Sequence, residues 1–384
     1  MTTAAQHRAA AFLVLALAAC AMGEEFSWKQ TGWGGGGYYW ACAFHPTKSG
    51  IIYMGGDVCG FYKTADGGKT WRISNTGIAD YAVYSLAVDP SSPDTVYAGT
   101  PSGLSRSTDA GEHWEFLAET AKKALAITAD RNKSVRAVAV DPSSSNRVFA
   151  ATPAGKIFRS DDGGKQWKVI YQLKDAGSFS SITVAAANPR VVLAAGTPGV
   201  LKSEDGGDTW AELSAPRNAS HAVAAPSNAG VIYAACGKDG VHKSTDGGKS
   251  WAKAGGGLKE TFAAREIAVD PKDPNTVYVI GSVNWDGYFY RSADGGQTWE
   301  LSRTVRRDLA ADPTLPDEGG TRAETTPLSS ARNLALNPQR PQELFIAANW
   351  RPCFSPDGGK TWEERDRGAD ITCVSDIRFF GKKT

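Results

Sequence analysis

One eight-residue pattern, present seven times, limits most strongly what this chain of 384 residues can fold into. Each copy has a Ser or Thr, an Asp two residues later, a Gly two residues after the Asp, and a Trp three residues after the Gly. Self-similarity at intervals of 41 to 63 residues is typical of repeat architectures such as propellers. The aspartates of the seven copies are Asp66, Asp109, Asp162, Asp205, Asp246, Asp294 and Asp357.

The residues around each copy predict four short strands. In the second copy, segments with strand-like alternation precede the pattern at 85–88, 95–99 and 103–106, and another follows it at 114–117. Turn residues separate these segments. Four antiparallel strands in each repeat make one blade of a propeller. The sequence therefore predicts an all-β, seven-bladed β-propeller of four-stranded antiparallel blades over residues 24–370, with seven Asp boxes.

The Asp box itself is expected to stabilise the fold. An Asp in a tight turn can accept hydrogen bonds from nearby backbone N–H groups, and glycines supply the positive φ that such turns need. The Trp can bury its ring beside neighbouring strands. We therefore expect all seven box aspartates to be structural and not catalytic.

Strand order sorts the loops between two faces of the ring. Because successive strands alternate in direction, the Asp boxes share one face with the turns between the first and second strands; we name this the box face. The loops between the second and third strands, and those between blades, lie on the opposite face, named the loop face. The two long insertions, 118–132 and 303–330, both belong to loops between blades. Variable loops on a rigid scaffold usually carry function, so we predict that the loop face is the functional surface.

The N-terminal segment has the pattern of an export signal. Residues 1–23 contain Arg8 followed by an apolar run, which is too short to span a bilayer. Leu17-Ala-Ala-Cys20 resembles a lipobox, in which Cys20 would be acylated; cleavage after Gly23 would instead release the protein. We expect an exported protein, either secreted, periplasmic or an outer-membrane lipoprotein, with membrane contact only through the lipid.

Single strand-like segments stand at both ends of the seven repeats. Residues 26–30 resemble a fourth strand without its blade, and residues 373–380 resemble a first strand without its blade. Two interpretations are open: residues 371–384 begin a second propeller, or the two segments complete a single ring.

Composition excludes several other functions. The 42 basic and 41 acidic side chains give no argument for binding nucleic acid. Five cysteines remain after Cys20, and their spacing predicts neither a zinc site nor a disulfide framework. Cys42 and Cys59 lie in one repeat and could pair, although small buried thiols are the simpler interpretation. The five histidines lack metal-ligand spacing, and no phosphate or dinucleotide loop is present, so we expect no metal and no cofactor.

The first repeat carries motifs that the other repeats lack. A run of four glycines, 34–37, is followed by aromatic residues, by His45-Pro46, and by the segment Asp57-Val-Cys-Gly-Phe-Tyr62. These motifs resemble the opening of the N-terminal propeller in glycoside hydrolase family 74, the two-propeller xyloglucanases. Sortilin-like domains and the photosystem II assembly propeller use the same Asp box, so the glycine run and the Asp57 segment are the more specific evidence. Sialidases also carry Asp boxes, but their Arg-Ile-Pro motif is absent, since Trp71 is followed by Arg-Ile-Ser.

The resemblance implies a catalytic role for Asp57. In the family, an Asp in the first-blade motif is the general base of inverting hydrolysis of a β-glucan, and Asp57 matches it by position. The match is imperfect, because Gly56 precedes Asp57 and Cys59 replaces a motif glycine. The family's general acid lies on the second propeller, and inversion needs two carboxyls roughly 6.5–9.5 Å apart. Within this sequence, Asp286 is the candidate acid that we name; a chain with one carboxyl would bind without cleaving.

Aromatic and polar residues on the predicted loop face are candidates for glycan contact. An apolar platform beside polar groups suits the faces and hydroxyls of sugars. The alternative is that these side chains pack between blades, in which case the chain is a non-catalytic propeller that binds a glycan or a protein. The candidate residues are Trp33, Tyr38, Tyr39, Trp40, Asn284, Trp285, Asn349, Trp350 and Arg351.

Overall fold

The predicted fold is confirmed. The computed structural model describes residues 38–117, 134–214, 217–284, 286–302, 305–306, 331–348 and 352–369. In these ranges the chain forms seven separate sheets, each made of sequence-adjacent strands, and no helix. All strand pairs within the blades are antiparallel apart from one added edge strand in the seventh sheet.

The strands follow one another blade by blade along the chain. Blade 1 contains β1 Tyr39–Phe44, β2 Ile52–Gly56, β3 Phe61–Thr64 and β4 Arg72–Ile73. Blade 2 contains β5 Ser85–Val88, β6 Val96–Thr100, β7 Gly103–Ser107 and β8 Glu115–Phe116. Blade 3 contains β9 Ala137–Asp141, β10 Ser144–Ala151, β11 Lys156–Ser160 and β12 Lys168–Gln172. Blade 4 contains β13 Phe179–Val184, β14 Val192–Gly196, β15 Gly199–Ser203 and β16 Ala211–Glu212.

The other three blades complete the ring. Blade 5 contains β17 His221–Ala225, β18 Asn228–Ala235, β19 Val241–Ser244 and β20 Ala252–Lys253. Blade 6 contains β21 Ala263–Val269, β22 Val277–Val283, β23 Asp286–Ser292 and β24 Glu300–Leu301. Blade 7 contains β25 Val305–Arg306, β26 Asn333–Leu336, β27 Leu344–Ala347, β28 Cys353–Ser355 and β29 Trp362–Glu364.

Burial within a blade explains its sequence pattern. The second strand of each blade is packed on both of its sides, so strands such as β2 and β6 are buried at every position and carry near-continuous apolar residues. The fourth strand is short and exposed at the rim, as in β4, β16 and β20. The first strands of all blades adjoin one another around the centre, where they line a channel.

Blades 7 and 1 close the ring through the same contact that joins other neighbouring blades. The box Trp71 of blade 1 donates from its backbone N–H to the carbonyl of Arg367 and from Nε1 to the carbonyl of Arg365, both at 2.8 Å. Trp114 of blade 2 makes the equivalent pair of bonds to Thr76 and Ser74 of blade 1, at 2.8 and 2.9 Å. The closing contact therefore repeats the ordinary contact between blades.

Each Asp box is a small hydrogen-bonded turn. In all seven, the hydroxyl of the Ser or Thr two residues earlier donates to the box carboxylate at 2.7–3.0 Å. The backbone N–H four residues later donates to the same carboxylate at 2.8–2.9 Å. The box glycines have positive φ, and at Gly359 an added Cβ would also lie 2.2 Å from the ring of Phe289 in the preceding blade. Both the turn and the neighbouring blade therefore require glycine there.

The boxes are fixed to one face of the ring. In every blade, the N–H of the residue after the box Asp donates to a carbonyl in the turn between the first two strands, at 2.7–2.9 Å; Gly67 to Gly50 is the example in blade 1. This bond places the box and that turn at the same end of the blade. The loop face is the other end.

Blade 7 departs from the predicted four-strand pattern. Strand β25 lies in the segment predicted as a long loop, and it pairs in parallel with β29 at the outer edge of the blade. The predicted export signal, the segments 26–30 and 373–380, and the insertion 118–132 lie outside the described residues. No helix in the described ranges is long and apolar enough to cross a membrane.

Removing a box carboxylate should destabilise the protein without changing its fold. Asp357→Ala deletes the acceptor of three hydrogen bonds, from Ser355, Thr361 N–H and Thr361 hydroxyl. We expect the free energy of unfolding to fall by about 0.5–2 kcal/mol, measured by urea denaturation, as for the loss of a capping side chain. Asp175→Ala, which removes an exposed acid outside the boxes, is the control and should leave the midpoint unchanged. Equal midpoints for both variants would show that the box carboxylate does not stabilise the fold.

Candidate functional site

Asp57 lies on the loop face, immediately after strand β2. Its backbone N–H donates to the carbonyl of Tyr38 at 3.0 Å, and the N–H of Tyr38 approaches the Asp57 carboxylate at 3.4 Å. Asp57 is half-buried. It stands at the opposite end of blade 1 from Asp66, whose box is bonded to the turn that contains Gly50. The carboxylate is therefore open to solvent and remote from the stabilising turns.

Exposed apolar side chains surround Asp57. The N–H of Gly60, in the same loop, donates to the carbonyl of Tyr81 at 2.7 Å, which brings the loop between blades 1 and 2 beside Asp57. Tyr38, Val58 and Tyr81 are 38%, 48% and 56% exposed. They are three of the five large hydrophobic side chains that are exposed in the described ranges. We name Tyr38, Asp57, Val58 and Tyr81 the Asp57 surface.

The predicted aromatic residues separate into three environments. Tyr38 is exposed on the Asp57 surface. Tyr39 is fully buried, donates its hydroxyl to the carbonyl of Ala369 and packs edge-on against Tyr62 at 5.9 Å, so a ligand cannot reach it. Its assignment to glycan binding is therefore wrong: because side chains alternate along β1, Tyr39 points between blades. Trp40 is half-buried and lines the central channel.

The channel has a volume of about 900 Å³ and is lined by the first strands of all seven blades. At its loop-face end, one equivalent position from each blade contributes a side chain. Five of these positions directly precede a recurring strand and turn pattern, as Tyr84 precedes Ser-Leu-Ala-Val-Asp-Pro. We name this ring the channel mouth. Its residues are Trp40, Tyr84, Arg136, Ser180, Ser220, Arg265 and Arg332.

Arginine and aromatic groups stack at the channel mouth. The guanidinium carbon of Arg136 lies 3.8 Å from the ring centroid of Tyr84, and that of Arg332 lies 4.6 Å from the ring centroid of Trp40. The rings of Trp40 and Tyr84 meet edge-on at 5.7 Å. The four groups therefore form a continuous layer in which each cation covers an aromatic face. Repeat alignment of the sequence would have revealed these residues, but a search for motifs along the chain did not.

A half-buried carboxyl lines the channel beneath its mouth. Both oxygens of Glu266 accept hydrogen bonds from Nδ2 of Asn333, at 2.8 and 2.9 Å, and one accepts from the N–H of Leu334 at 3.2 Å. The amide oxygen of Asn333 in turn accepts from the N–H of Cys42 at 2.7 Å, so the network joins blades 6, 7 and 1. Burial raises the pKa of Glu266 to about 8, although these hydrogen bonds and the charge of Arg265 act in the opposite direction.

Two further predicted residues lie at the loop-face end of blade 6. Asn284 is exposed and has a φ of 57°, which places it in a tight turn between β22 and β23. Asp286 begins β23 and pairs with Val283, so its backbone is on the loop face, while its side chain lies outside the described residues. The remaining candidates also lie outside the described residues; they are Cys20, Trp33, Trp285, Asn349, Trp350 and Arg351.

The described ranges contain four cysteines and no cluster of metal-ligating side chains. Cys42 and Cys236 are free thiols, so Cys42 and Cys59 do not form a disulfide. The thiol of Cys42 contacts Asn333 at 3.2 Å, and burial raises its pKa well above the ordinary value. No group of three His, Cys, Asp or Glu side chains in these ranges is placed to hold a metal ion.

The fold and its repeats define a BNR-type β-propeller, the class in which each blade carries an Asp box. The sequence profile of the family described as Photosynthesis system II assembly factor YCF48 matches residues 24–312, and the chain belongs to this family. The predicted resemblance to glycoside hydrolase family 74 is also confirmed. The chain is 25% identical over 330 residues to the xyloglucanase Xgh74A of Acetivibrio thermocellus. That alignment covers 70% of this chain and 38% of the xyloglucanase.

Solved structures show the same fold in both groups of relatives. The GH74 xyloglucanase from Xanthomonas campestris aligns with a TM-score of 0.68 at 20% identity, over 90% of this chain and 56% of that chain. A YCF48 structure with a bound D1 peptide aligns with a TM-score of 0.57 at 15% identity, over 84% of this chain and 93% of that chain. The chain thus spans about half of the aligned xyloglucanase and nearly all of the aligned YCF48.

The half-buried Glu266 should make stability depend on pH. Its folded-state pKa of about 8 lies above the ordinary value of 4.5, so the folded protein holds a proton that the unfolded chain releases. The free energy of unfolding should therefore fall as pH rises from about 4.5 to about 8 and then level off. In Glu266→Gln, the amide oxygen can still accept from Asn333 and Leu334, and the fall should largely disappear. Urea midpoints at pH 5, 6, 7 and 8 measure the effect.

The matched control for this measurement is Glu260→Gln, which removes an exposed carboxyl elsewhere in the described chain. It should keep the pH dependence of the parent protein. The same slope in all three proteins would show that Glu266 does not titrate in this range.

Proposed function

We propose that this chain is an exported propeller that binds a β-glycan on the loop face, with Asp57 as the general-base half of an inverting hydrolytic site. The observation that carries the proposal is the Asp57 surface itself. A half-exposed carboxylate is bordered by exposed Tyr38, Val58 and Tyr81, at the end of the ring away from every Asp box. Relatives named as xyloglucanases, about 25% identical over the propeller, support the same assignment.

The apolar side chains around Asp57 suit the recognition of sugar rings. The faces of a β-linked pyranose are apolar, and its edges carry hydroxyls, so an aromatic ring beside a carboxylate can contact both. Tyr38 and Tyr81 come from the approaches to blades 1 and 2, and the Gly60–Tyr81 hydrogen bond joins the loop that contains Asp57 to the loop that contains Tyr81. Asp80, next to Tyr81, accepts from Ser102 in blade 2 at 2.8 Å and so fixes this loop.

In the proposed reaction, Asp57 acts on the water nucleophile. Its ionised carboxylate takes a proton from water as the water oxygen bonds to the anomeric carbon. The bond from that carbon to the glycosidic oxygen breaks, and the leaving oxygen takes a proton from a carboxylic acid on the opposite side of the sugar. Asp286 is the candidate for this acid within the sequence; a second propeller is the alternative source. Asp57 remains the base in either case.

A second function is favoured by a different observation. The aligned YCF48 structures are covered over 93–98% of their length by this chain, and one of them holds a peptide. A single propeller that holds a protein partner without catalysis is therefore the second candidate. The two proposals differ in whether the Asp57 surface binds sugars and whether Asp57 is needed for bond cleavage.

Glycan binding should depend on the exposed tyrosines. We expect Tyr38→Ala and Tyr81→Ala each to weaken binding of xyloglucan oligosaccharides by about fivefold to tenfold, because each removes about 1 kcal/mol of ring contact. Isothermal titration calorimetry measures the affinity. Ile73→Ala, which truncates a side chain that is 50% exposed on β4, is the control and should bind as the parent protein does. Absence of binding to the parent protein would reject the glycan proposal in favour of the protein-binding one.

Hydrolysis should depend on Asp57 while binding does not. In Asp57→Asn, the side chain keeps its size but cannot accept a proton, so release of reducing sugar should fall by about 10²–10⁴-fold. The affinity for oligosaccharide should change by less than about threefold, since the contacts of Tyr38 and Tyr81 remain. Asp175→Asn, an acid in the loop between blades 3 and 4, is the control. Unchanged sugar release in Asp57→Asn would exclude Asp57 as the base.

A further inference from the structure

We propose that the channel mouth is an oxyanion-binding site, distinct from the Asp57 surface, that holds a carboxylate, sulfate or phosphate group entering from the loop face. The seven equivalent positions of this ring carry three arginines, two aromatic residues and two serines, and no acid. Asp57 is not among the residues that line the channel. The site goes beyond glycan hydrolysis, because its chemistry concerns charge and not the sugar ring.

Arg136 is oriented in a way that leaves hydrogen-bond donors for a ligand. A guanidinium stacked on an aromatic face uses its π surface, while the N–H groups in its plane remain directed outward. Arg136 covers Tyr84 in this way and is also braced by a bond from Nε to the Ser134 hydroxyl at 2.9 Å. Arg332 covers Trp40. In-plane donors held in fixed directions match the paired oxygens of an oxyanion.

Two of the three cations at the mouth, Arg136 and Arg265, form no ion pair with a carboxylate in the described ranges, since no carboxylate there lies within 4.0 Å of their guanidinium nitrogens. Glu266 is committed to Asn333 and Leu334. Burial lowers the pKa of all three arginines, and the charge of Arg265 lowers that of Arg332 further. Placing like charges together costs free energy, and a bound anion reduces that cost.

The backbone at the mouth is shaped to present these side chains. The pairing register shifts between Tyr39 and Ala41 and again between Ala264 and Glu266, so Trp40 and Arg265 each occupy the extra position of a β-bulge. A third shift, between Phe179 and Ser181, does the same for Ser180. Bulges re-aim side chains and recur beside binding sites. All three lie in the first residues of the channel-lining strands.

The wall at this end of the channel also contains buried polar atoms without a protein hydrogen-bond partner. Four buried side-chain atoms in the described ranges lack a protein hydrogen-bond partner and belong to residues that line the channel. Each residue stands at the mouth position or one residue beyond it. They are Trp40 Nε1, Ser85 Oγ, Ser181 Oγ and His221 Nδ1. Unpaired polar groups of this kind are uncommon in folded proteins, and these four cluster at the channel mouth.

The site is tested by calorimetric titration of the full chain with inorganic sulfate, inorganic phosphate and D-glucuronate, with neutral D-glucose as the matched sugar. We expect at least one oxyanion to bind, with affinity that falls as NaCl is raised. Sulfate, phosphate and glucuronate distinguish a tetrahedral anion from a carboxylate. Arg136→Gln and Arg265→Gln should each weaken that binding by about tenfold or more, since each removes charged donors.

The control variant is Arg190→Gln, which removes the same charge from an exposed arginine on the box face. It should leave oxyanion binding unchanged. An equal loss of oxyanion affinity in Arg190→Gln and Arg136→Gln would show that only overall charge matters. Equal affinities for glucose and glucuronate would show that the site does not recognise the negative group. Either result overturns the proposal. If Arg136→Gln does not fold, as judged by its melting temperature, Arg265→Gln decides. Asp57→Asn should bind the oxyanion normally, so this site and the glycan proposal can fail separately.

Discussion

The hydrogen bond between each Asp box and the first turn of its own blade is the constraint on which the rest of the structure depends. It fixes seven box turns to seven neighbouring turns at 2.7–2.9 Å and so uses one face of the ring for stability. The carboxylates of the boxes are occupied by local donors and carry no chemistry. Because strands alternate in direction, the other ends of the strands are left without this requirement, and loops there can vary in length and side chain.

The repeats made the fold predictable from the sequence. A strand pairing between distant residues and the buried side of one strand were not predictable in this way. The seven boxes and the alternating segments between them indicate blade number, strand order and the face that carries Asp57. By contrast, β25 pairs with β29 across more than fifty residues of sequence, and no local pattern marks such a pairing. Tyr39 was misassigned because neighbours on a strand face opposite sides, and only the register shows which side is buried.

The two surfaces on the loop face have different physical characters. Around Asp57, exposed Tyr and Val side chains surround one carboxylate, which suits a neutral ligand with apolar faces. At the channel mouth, cations cover aromatic rings and none of the seven positions carries an acid, which suits a negative group. Tyr38 adjoins both, since its backbone bonds to Asp57 and its ring stacks 6.2 Å from that of Trp40. The arginines are far apart in sequence, and only the equivalence of their positions in the repeat brings them together.

The closure of the ring at Trp71 has a mechanical consequence. Neighbouring blades elsewhere are tied by the peptide that links them, but blades 7 and 1 are held by side-chain and backbone hydrogen bonds and by the Cys42–Asn333 contact. A force that pulls the propeller apart would therefore open the ring between blades 7 and 1. While the ring is closed, every blade packs against two neighbours. The closed ring therefore resists unfolding better than a linear stack of the same seven sheets.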